Sequence, residues 1–327
     1  MESEQNALQT AAVRLILESR SAAVLSHINP DGDTLGSALA LAAGLRQLGK
    51  EARVFCADAL PGNLAFLPGY DAIAADTRLP DGTDLIVMVD ASDLGRFGAV
   101  YADSPHVFAH ARLLNVDHHA TNHYFGDVNL VNPSAAATGE QVYELLGELG
   151  VEIDVPIATC LLTAIVTDTR SFRTPSTTPR TLATATRLYE LGAPLPLIVE
   201  SVYRSRSLST LRLWGLALER LHLLDGIAWT EVTREMQDQA GASPTEGDGV
   251  VDLVASLRQI KAVVLFRETD DGIKVSMRAT DGFDVAEVAA HFGGGGHPRA
   301  AGCLVPGRLA AVQREVLQYL AKGTATR

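Results

Sequence analysis

Along the first half of the chain, short apolar runs alternate with stretches of helical period. Ala22–Ser26, Arg53–Ala57, Leu85–Val89 and Leu113–Val116 read as buried strands. About Leu35–Leu48, Thr138–Leu149 and Ile157–Thr167 read as helices, the first stopped by Gly49. This alternation predicts an α/β domain with a largely parallel, Rossmann-like sheet. Pro194 and Pro196 interrupt the helical pattern, which predicts a first domain over 1–192, a linker over 193–205 and a second domain over 206–327. The second half changes character: Leu208–Leu221 is helical, Ile227–Glu231 a strand, and Ala262–Glu268 with Ile273–Arg278 a hairpin around Asp270-Asp271-Gly272. Helices at Val285–Phe292 and Leu309–Lys322 complete a smaller α+β domain, expected to face the first across a cleft.

Composition narrows the class. With 327 residues, 47% hydrophobic and 20% charged, the chain suits about two domains and is no disordered, collagen-like or disulfide-scaffold protein. Its runs free of Asp, Glu, Lys and Arg reach 13 residues (Val155–Thr167), short of the roughly 20 that cross a bilayer. The acidic start, Met1-Glu2-Ser3-Glu4-Gln5, lacks the plan of a secretion signal. Three separated cysteines, Cys56, Cys160 and Cys303, suit neither a disulfide framework nor a Cys-based zinc site. A cytoplasmic location is expected. Residues 1–192 carry 23 acids against 12 bases, and 193–327 carry 16 against 15. Such a chain is badly charged for coating long nucleic acid. An acidic first half suits metal binding if its carboxylates cluster.

They do. Three of the apolar strands stop at a His or Asp, namely His27, Asp90 and Asp117, and open α/β sheets bind ligands beyond the carboxyl ends of their strands. Asp31 and Asp33 follow His27 on a loop that Pro30 and Gly32 keep out of helix. Imidazole and carboxylate suit manganese-type ions; the alternative is an Asp-Gly turn with Asp33 or Thr34 capping the next helix. Asp90 has a helix-cap alternative too. In Asp117-His118-His119, one imidazole can serve a metal and one a substrate while the carboxylate orients the former, the alternative being two surface histidines in a turn. Asp168 follows an apolar helix, at the negative end of its dipole, a poor place for a carboxylate without a cation.

In the second half, Gly293–Gly296 with His297 and Arg299 would let backbone N–H groups and positive charge approach a phosphate, though a flexible connection would look the same. Arg278, ending a hairpin strand, is a further candidate phosphate ligand. Arg267 reads as part of a solvated face. Arg96, six residues past Asp90, is either within reach of substrate or ordinary surface. Trp214 looks like core or interface, which leaves room for a homodimer. At 6% aromatic the chain offers no extended base-stacking platform.

The blocks around His27–Asp33, Asp90, Asp117-His118-His119 and Asp168 resemble, in order and spacing, the DHH phosphoesterase family. Gly293–Gly302 resembles the glycine-rich signature of the DHH-associated C-terminal domain. Asn132–Glu140, and Thr167-Asp168-Thr169 followed by Phe172-Arg173, look most like the bifunctional oligoribonuclease and 3′-phosphoadenosine 5′-phosphate (PAP) phosphatase branch. The resemblance implies two manganese ions, with magnesium an alternative. His27, Asp31 and Asp90 would hold one; Asp33, Asp90, His118 and Asp168 the other. Two such ions about 4 Å apart would activate a water and offset phosphate charge. Asp117 would sit behind them, and His119 would reach the scissile phosphate. Arg278, Gly295, Gly296, His297, Arg299 and Arg96 would bind substrate. The implied activity is a manganese-dependent hydrolase of short RNA and of PAP. The alternatives are a related phosphodiesterase for linear or cyclic dinucleotides or single-stranded DNA, a polyphosphate hydrolase, or a nucleotide-binding regulator lacking a metal ligand. No matched ligand is missing. One departure is Arg170, where relatives often have Gly, which bears on the shape of the loop after Asp168.

Overall fold

A computed structural model of the chain describes residues 2–203, 207–244, 246–280 and 282–324. It divides into two compact units, Met1–Ser205 and Arg206–Arg327.

The first unit opens with α1 (Glu2–Glu18), β1 (Ser21–Leu25), α2 (Gly32–Gln47), β2 (Glu51–Phe55) and β3 (Leu85–Val89). It continues with α3 (Gly98–Asp103), α4 (Pro105–His110), β4 (Arg112–Asp117), β5 (Val128–Val131), α5 (Thr138–Glu148), α6 (Val155–Asp168), α7 (Pro179–Glu190) and α8 (Leu195–Tyr203). The five strands are parallel, in the order β2-β1-β3-β4-β5. Both faces are covered, and β3 shows it: Leu85, Val87 and Val89 enter one core, Ile86 and Met88 the other. Because β1 pairs with both β2 and β3, the chain reverses its direction of winding between them. The ligand crevice of such a sheet lies outside the carboxyl ends at that reversal. Asp90 is the first residue after β3 and His27 the second after β1. Helices α2 and α6 pack almost backbone to backbone: a Cβ at Gly36 would lie 2.4 Å from the Cys160 carbonyl oxygen, and one at Gly32 2.4 Å from Thr167 Cγ2.

The second unit contains α9 (Leu208–Glu219), β6 (His222–Leu224), β7 (Ile227–Val232), α10 (Arg234–Ala240), α11 (Val250–Val254), β8 (Ala262–Thr269) and β9 (Gly272–Ala279). It ends with α12 (Val285–His291), β10 (Gly295–His297), β11 (Ala300–Val305) and α13 (Leu309–Thr324). Its mixed sheet runs β10-β11-β9-β8-β7-β6, with only the β7–β8 pair parallel. The β8–β9 hairpin turns at Asp270-Asp271, as expected from the Asp-Gly signal.

Two expectations meet different structure, and a third is decided between its two alternatives. The stretch 193–205 carries α8, whose Ile198 is fully buried in the first core. Pro194 and Pro196 start this helix rather than break one, since the first turn has no use for their missing N–H groups. Arg267 is 5% exposed rather than solvated: its Nε meets Asp248 Oδ1 at 2.9 Å and its Nη1 donates to the Pro244 carbonyl at 2.7 Å, because Pro244 and the stretch 246–250 cover that face of β8. Trp214 packs inside its own unit, 7% exposed, donating Nε1–H to the Glu246 carbonyl. Among the described residues, no helix is long and apolar enough to cross a membrane.

Candidate metal centre

The site grows out of strand and helix ends. Asp31 caps α2, accepting from the Asp33 and Thr34 N–H groups, so Asp33 sits inside the first helical turn rather than at the cap. That inversion separates their roles: the Asp31 side chain is 59% exposed and the Asp33 side chain 1%. Asp33 is held by the N-terminus of α5, where Thr138 N–H donates to it at 2.7 Å and Gly139 N–H at 3.0 Å, with Ser37 Oγ at 3.1 Å. Asp90, at φ 60°, turns its carboxylate into the same space and accepts from Thr138 Oγ1 at 3.1 Å.

The two Asp90 oxygens face different partners. Oδ2 lies 3.4 Å from His27 Nε2, and Oδ1 lies 3.5 Å from His118 Nε2. His118 Nε2 is in turn 3.8 Å from Asp33 and 3.7 Å from Asp168. Donor atoms of His27, Asp31 and Asp90 fall within 4.8 Å of one another, as do those of Asp33, His118 and Asp168. Both sets therefore sit at cation-coordinating separations, joined by Asp90. A third triple, Asp90, His118 and His119, meets the same limit, but His119 Nδ1 is bonded at 2.7 Å to Asp117 Oδ1.

Crowded carboxylates in a dry site dictate the electrostatics. Burial, reinforced by Asp90, pushes Asp33 well above the usual carboxylate range, and burial with the Asp90 and Asp31 charges raises Asp168 to about 6. Burial alone would lower the His118 pKa, but the Asp90, Asp33 and Asp168 carboxylates outweigh it and push the imidazole up to about 11. Burial opposes the Asp90 charge too, and the His118 and His27 rings overcome it, holding that carboxyl well below its ordinary value. Such a donor set fits divalent cations: hard carboxylate oxygens and imidazole nitrogens converge where negative charge needs an opposite.

The remaining candidates divide by unit. Asp117 is fully buried, and Arg96 places Nη2 3.3 Å from His27 Nδ1 while its carbonyl accepts from Ile28 N–H. Arg278, Gly295, Gly296, His297 and Arg299 belong to the second unit, where β-pairing gathers them at one corner: Ala300 pairs with Arg278 on one side and His297 on the other. The glycine segment is thus a hairpin arm rather than a loose connection. A Cβ at Gly296 (φ 142°) would stand 2.5 Å from the Ala300 carbonyl oxygen. Arg278 is engaged by Asp252, Nε to Oδ1 at 2.8 Å. Sequence reasoning assigned no role to Thr138 and Gly139, which anchor Asp33 across 105 and 106 positions. The local traces were a small-residue start to a predicted helix and the place of both residues in the Asn132–Glu140 block. Arg170 lies at φ 48°, followed by Ser171 at 58° and Phe172 at 64°, so its departure from Gly sits where Gly would be least strained.

Against known proteins, the DHH family N-terminal domain matches residues 21–165 and the DHHA1 domain residues 228–322. The chain is 35% identical over 285 residues to the bifunctional oligoribonuclease and PAP phosphatase NrnA of Thermus thermophilus, covering 87% of this chain and 84% of the relative. The chain belongs to the DHH family. An exopolyphosphatase-related protein of Bacteroides fragilis has a crystal structure similar to this one, with a TM-score of 0.89 at 26% identity, covering 97% and 96% of the two chains. A probable manganese-dependent inorganic pyrophosphatase of Deinococcus radiodurans is 27% identical over 165 residues, about half of each chain (48% and 49%). The DHH match spans β1 to most of α6 and includes every candidate ligand except Asp168, which closes α6 three residues beyond it.

Proposed function

We propose that the chain is a two-metal phosphohydrolase, its first unit catalytic and its second recognising substrate, that degrades short oligoribonucleotides to 5′-mononucleotides and converts PAP to AMP. The observation that carries this reading is the Asp90 carboxylate, which turns one oxygen toward the His27–Asp31 side and the other toward His118, Asp33 and Asp168. The likeness to the Thermus NrnA supports the substrate class; the donor chemistry and the manganese-dependent relative support manganese. Bound there, such ions would supply an acidified water and positive charge against the phosphate oxygens.

The chain's own residues do the rest. His27, Asp31 and Asp90 form one ligand set; Asp33, Asp90, His118 and Asp168 form the other. Thr138 and Gly139 fix Asp33, so that this ligand need not reorganise during turnover. Asp117 holds the Nδ1 side of His119, the ring that would serve the scissile phosphate. Arg96, Arg278, His297 and Arg299 offer positive charge to the substrate's phosphates, and the Gly295–Gly296 backbone allows close approach. A net charge of −12 and no aromatic platform favour substrates a few nucleotides long. Three buried free thiols suit a reducing cytoplasm.

The test is product analysis of a labelled RNA trimer and of PAP with Mn2+, with and without chelator. Mononucleotides and AMP formed only with metal support the reading. Faster turnover of long single-stranded DNA, pyrophosphate or a cyclic dinucleotide would sink it.

A further inference from the structure

The Asp117 carboxylate receives three hydrogen bonds in its buried position: from the His118 backbone N–H at 2.8 Å, from His119 Nδ1 at 2.7 Å and from Asn122 Nδ2 at 2.6 Å. The first two come from the residues it positions. Asn122, 7% exposed, is the side chain that pins the carboxylate from behind. Its Nδ2 also donates at 3.1 Å to the carbonyl of Ala91, the residue after Asp90. Its Oδ1 accepts from Tyr124 N–H at 2.7 Å and from Asn115 Nδ2 at 3.0 Å. Four bonds use both amide protons and both lone pairs, so the carboxamide can neither flip nor swing.

Behind Asn122 the network continues. Asn115, fully buried on β4, shares its Nδ2 with Asn129 Oδ1 at 3.3 Å, on the adjacent strand β5. Asn129 is itself fastened to the Gly126 N–H and carbonyl. The backbone closes the other side, Asn122 N–H donating to the His119 carbonyl at 3.1 Å. A line of amides, half-buried at Asn129 and buried at Asn115 and Asn122, therefore runs from β5 through β4 to the Asp117–His119 pair, and it branches to the β3 end that carries Asp90. Asn115 Oδ1 has no partner among the described residues, but Asn122 has every donor and acceptor used, and a satisfied group in low dielectric is stiff.

We propose that Asn122 is a positioning residue for the reaction: acting through Asp117, it fixes the aim of His119 relative to the Asp90 ligand end. The inference rests on the phosphoester-hydrolysis reading above. A plain loop-closing asparagine would change stability alone.

The full chain is assayed on PAP with Mn2+ as parent, Asn122→Ala, Asn122→Asp, Asp117→Asn and the Asn122→Ala/Asp117→Asn double variant, with thermal unfolding alongside. Asn122→Ala is expected to lower kcat about 10- to 100-fold with KM within about twofold, the range seen when groups behind a metal-site ligand are removed. Asn122→Asp, equal in size, sets a carboxylate against Asp117 and the Ala91 carbonyl and loses at least as much. The double variant is expected to be no worse than Asp117→Asn alone, because one acts through the other. Losses that multiply, or a parental kcat in Asn122→Ala, overturn the inference.

A second readout is independent of turnover: exchange of the His119 Nδ1 proton, followed by NMR with 15N-labelled histidine. It is expected to quicken about tenfold or more in Asn122→Ala as the Asp117 bond loosens, and unchanged exchange overturns the inference. If the parent chain turns over neither PAP nor the RNA trimer, the hydrolase reading fails and the proton readout still decides the positioning claim. Should Asn122→Ala not fold, Asn115→Ala, one amide further back, is read by the same two measurements; no change in either overturns the inference.

Discussion

The carboxylate-rich rim of the DHH unit and the glycine hairpin of the second unit are both proposed to serve phosphate chemistry, yet they are built in opposite ways. At the rim, Asp33 is 1% exposed, Asp90 4% and Asp117 0%, and hydrogen bonds drawn from other segments fix their carboxylates. On the hairpin, Gly295 to Arg299 are all exposed, and the order comes from the backbone ladder with β11. Groups that must hold concentrated charge at fixed separations need burial and orientation; groups that meet a passing phosphate need reach. Damage to the rim should therefore appear in kcat and in pH-dependent stability, and damage to the hairpin in KM.

The largest expected effect tests the rim directly. Asp90→Ala removes the carboxylate common to both ligand sets, so turnover of the RNA trimer and of PAP should both fall by about 1,000-fold or more. Steady-state kinetics check this, and an enzyme that keeps one activity would break the shared-site picture. On the hairpin, His297→Ala should raise KM about tenfold, the worth of one charge-assisted hydrogen bond, with kcat nearly unchanged. A fall in kcat instead would erase the contrast.

Stability sharpens it further. In the metal-free chain the Asp168 carboxyl holds its proton to about pH 6, against 3.8 ordinarily. The folded state binds the extra proton, so stability falls as pH rises from about 4 to 6 and stays lowered above. Asp168→Asn should therefore stabilise the chelated protein at pH 7 by about 1–2 kcal/mol, after allowance for solvent screening. At pH 4 it should do little; urea titrations at the two pH values give the answer. The smallest effect is Arg170→Gly. Relief of left-handed strain, less the backbone freedom glycine adds to the unfolded chain, should leave a gain of about 0.5–1 kcal/mol by the same titration.

The gathering of the rim side chains was partly legible in the sequence because His27, Asp90 and Asp117 sit where apolar strands stop. Such a stop is local, and the parallel order converts it into proximity. What supports the ligands was not legible. Thr138 and Gly139 meet Asp33 only after α2 and α5 have packed, and Asn122 had no pattern to mark it as the partner of Asp117. Helix α1 went unread although Ala12, Leu15 and Ile16 are buried on one side of it, because its polar face and acidic start resemble an exposed tail. The four-residue strand β5 was too short to show a period of two. The turn after Asp168 shows a different limit. The Arg in place of Gly was visible in the sequence, but three consecutive left-handed residues are imposed by bonds such as Ser171 N–H to the Val166 carbonyl at 2.8 Å.

The bare faces of Gly32 and Gly36 reach beyond packing. Asp33 opens α2 and Asp168 closes α6, so the gap between two charged donors is gauged by how near those helices can slide. One added methyl at Gly36, less than a turn along the helix from Asp33, would wedge the pair apart. The separation of the Asp33 and Asp168 carboxylates would then change with neither side chain altered, which makes these two glycines a caliper for that gap.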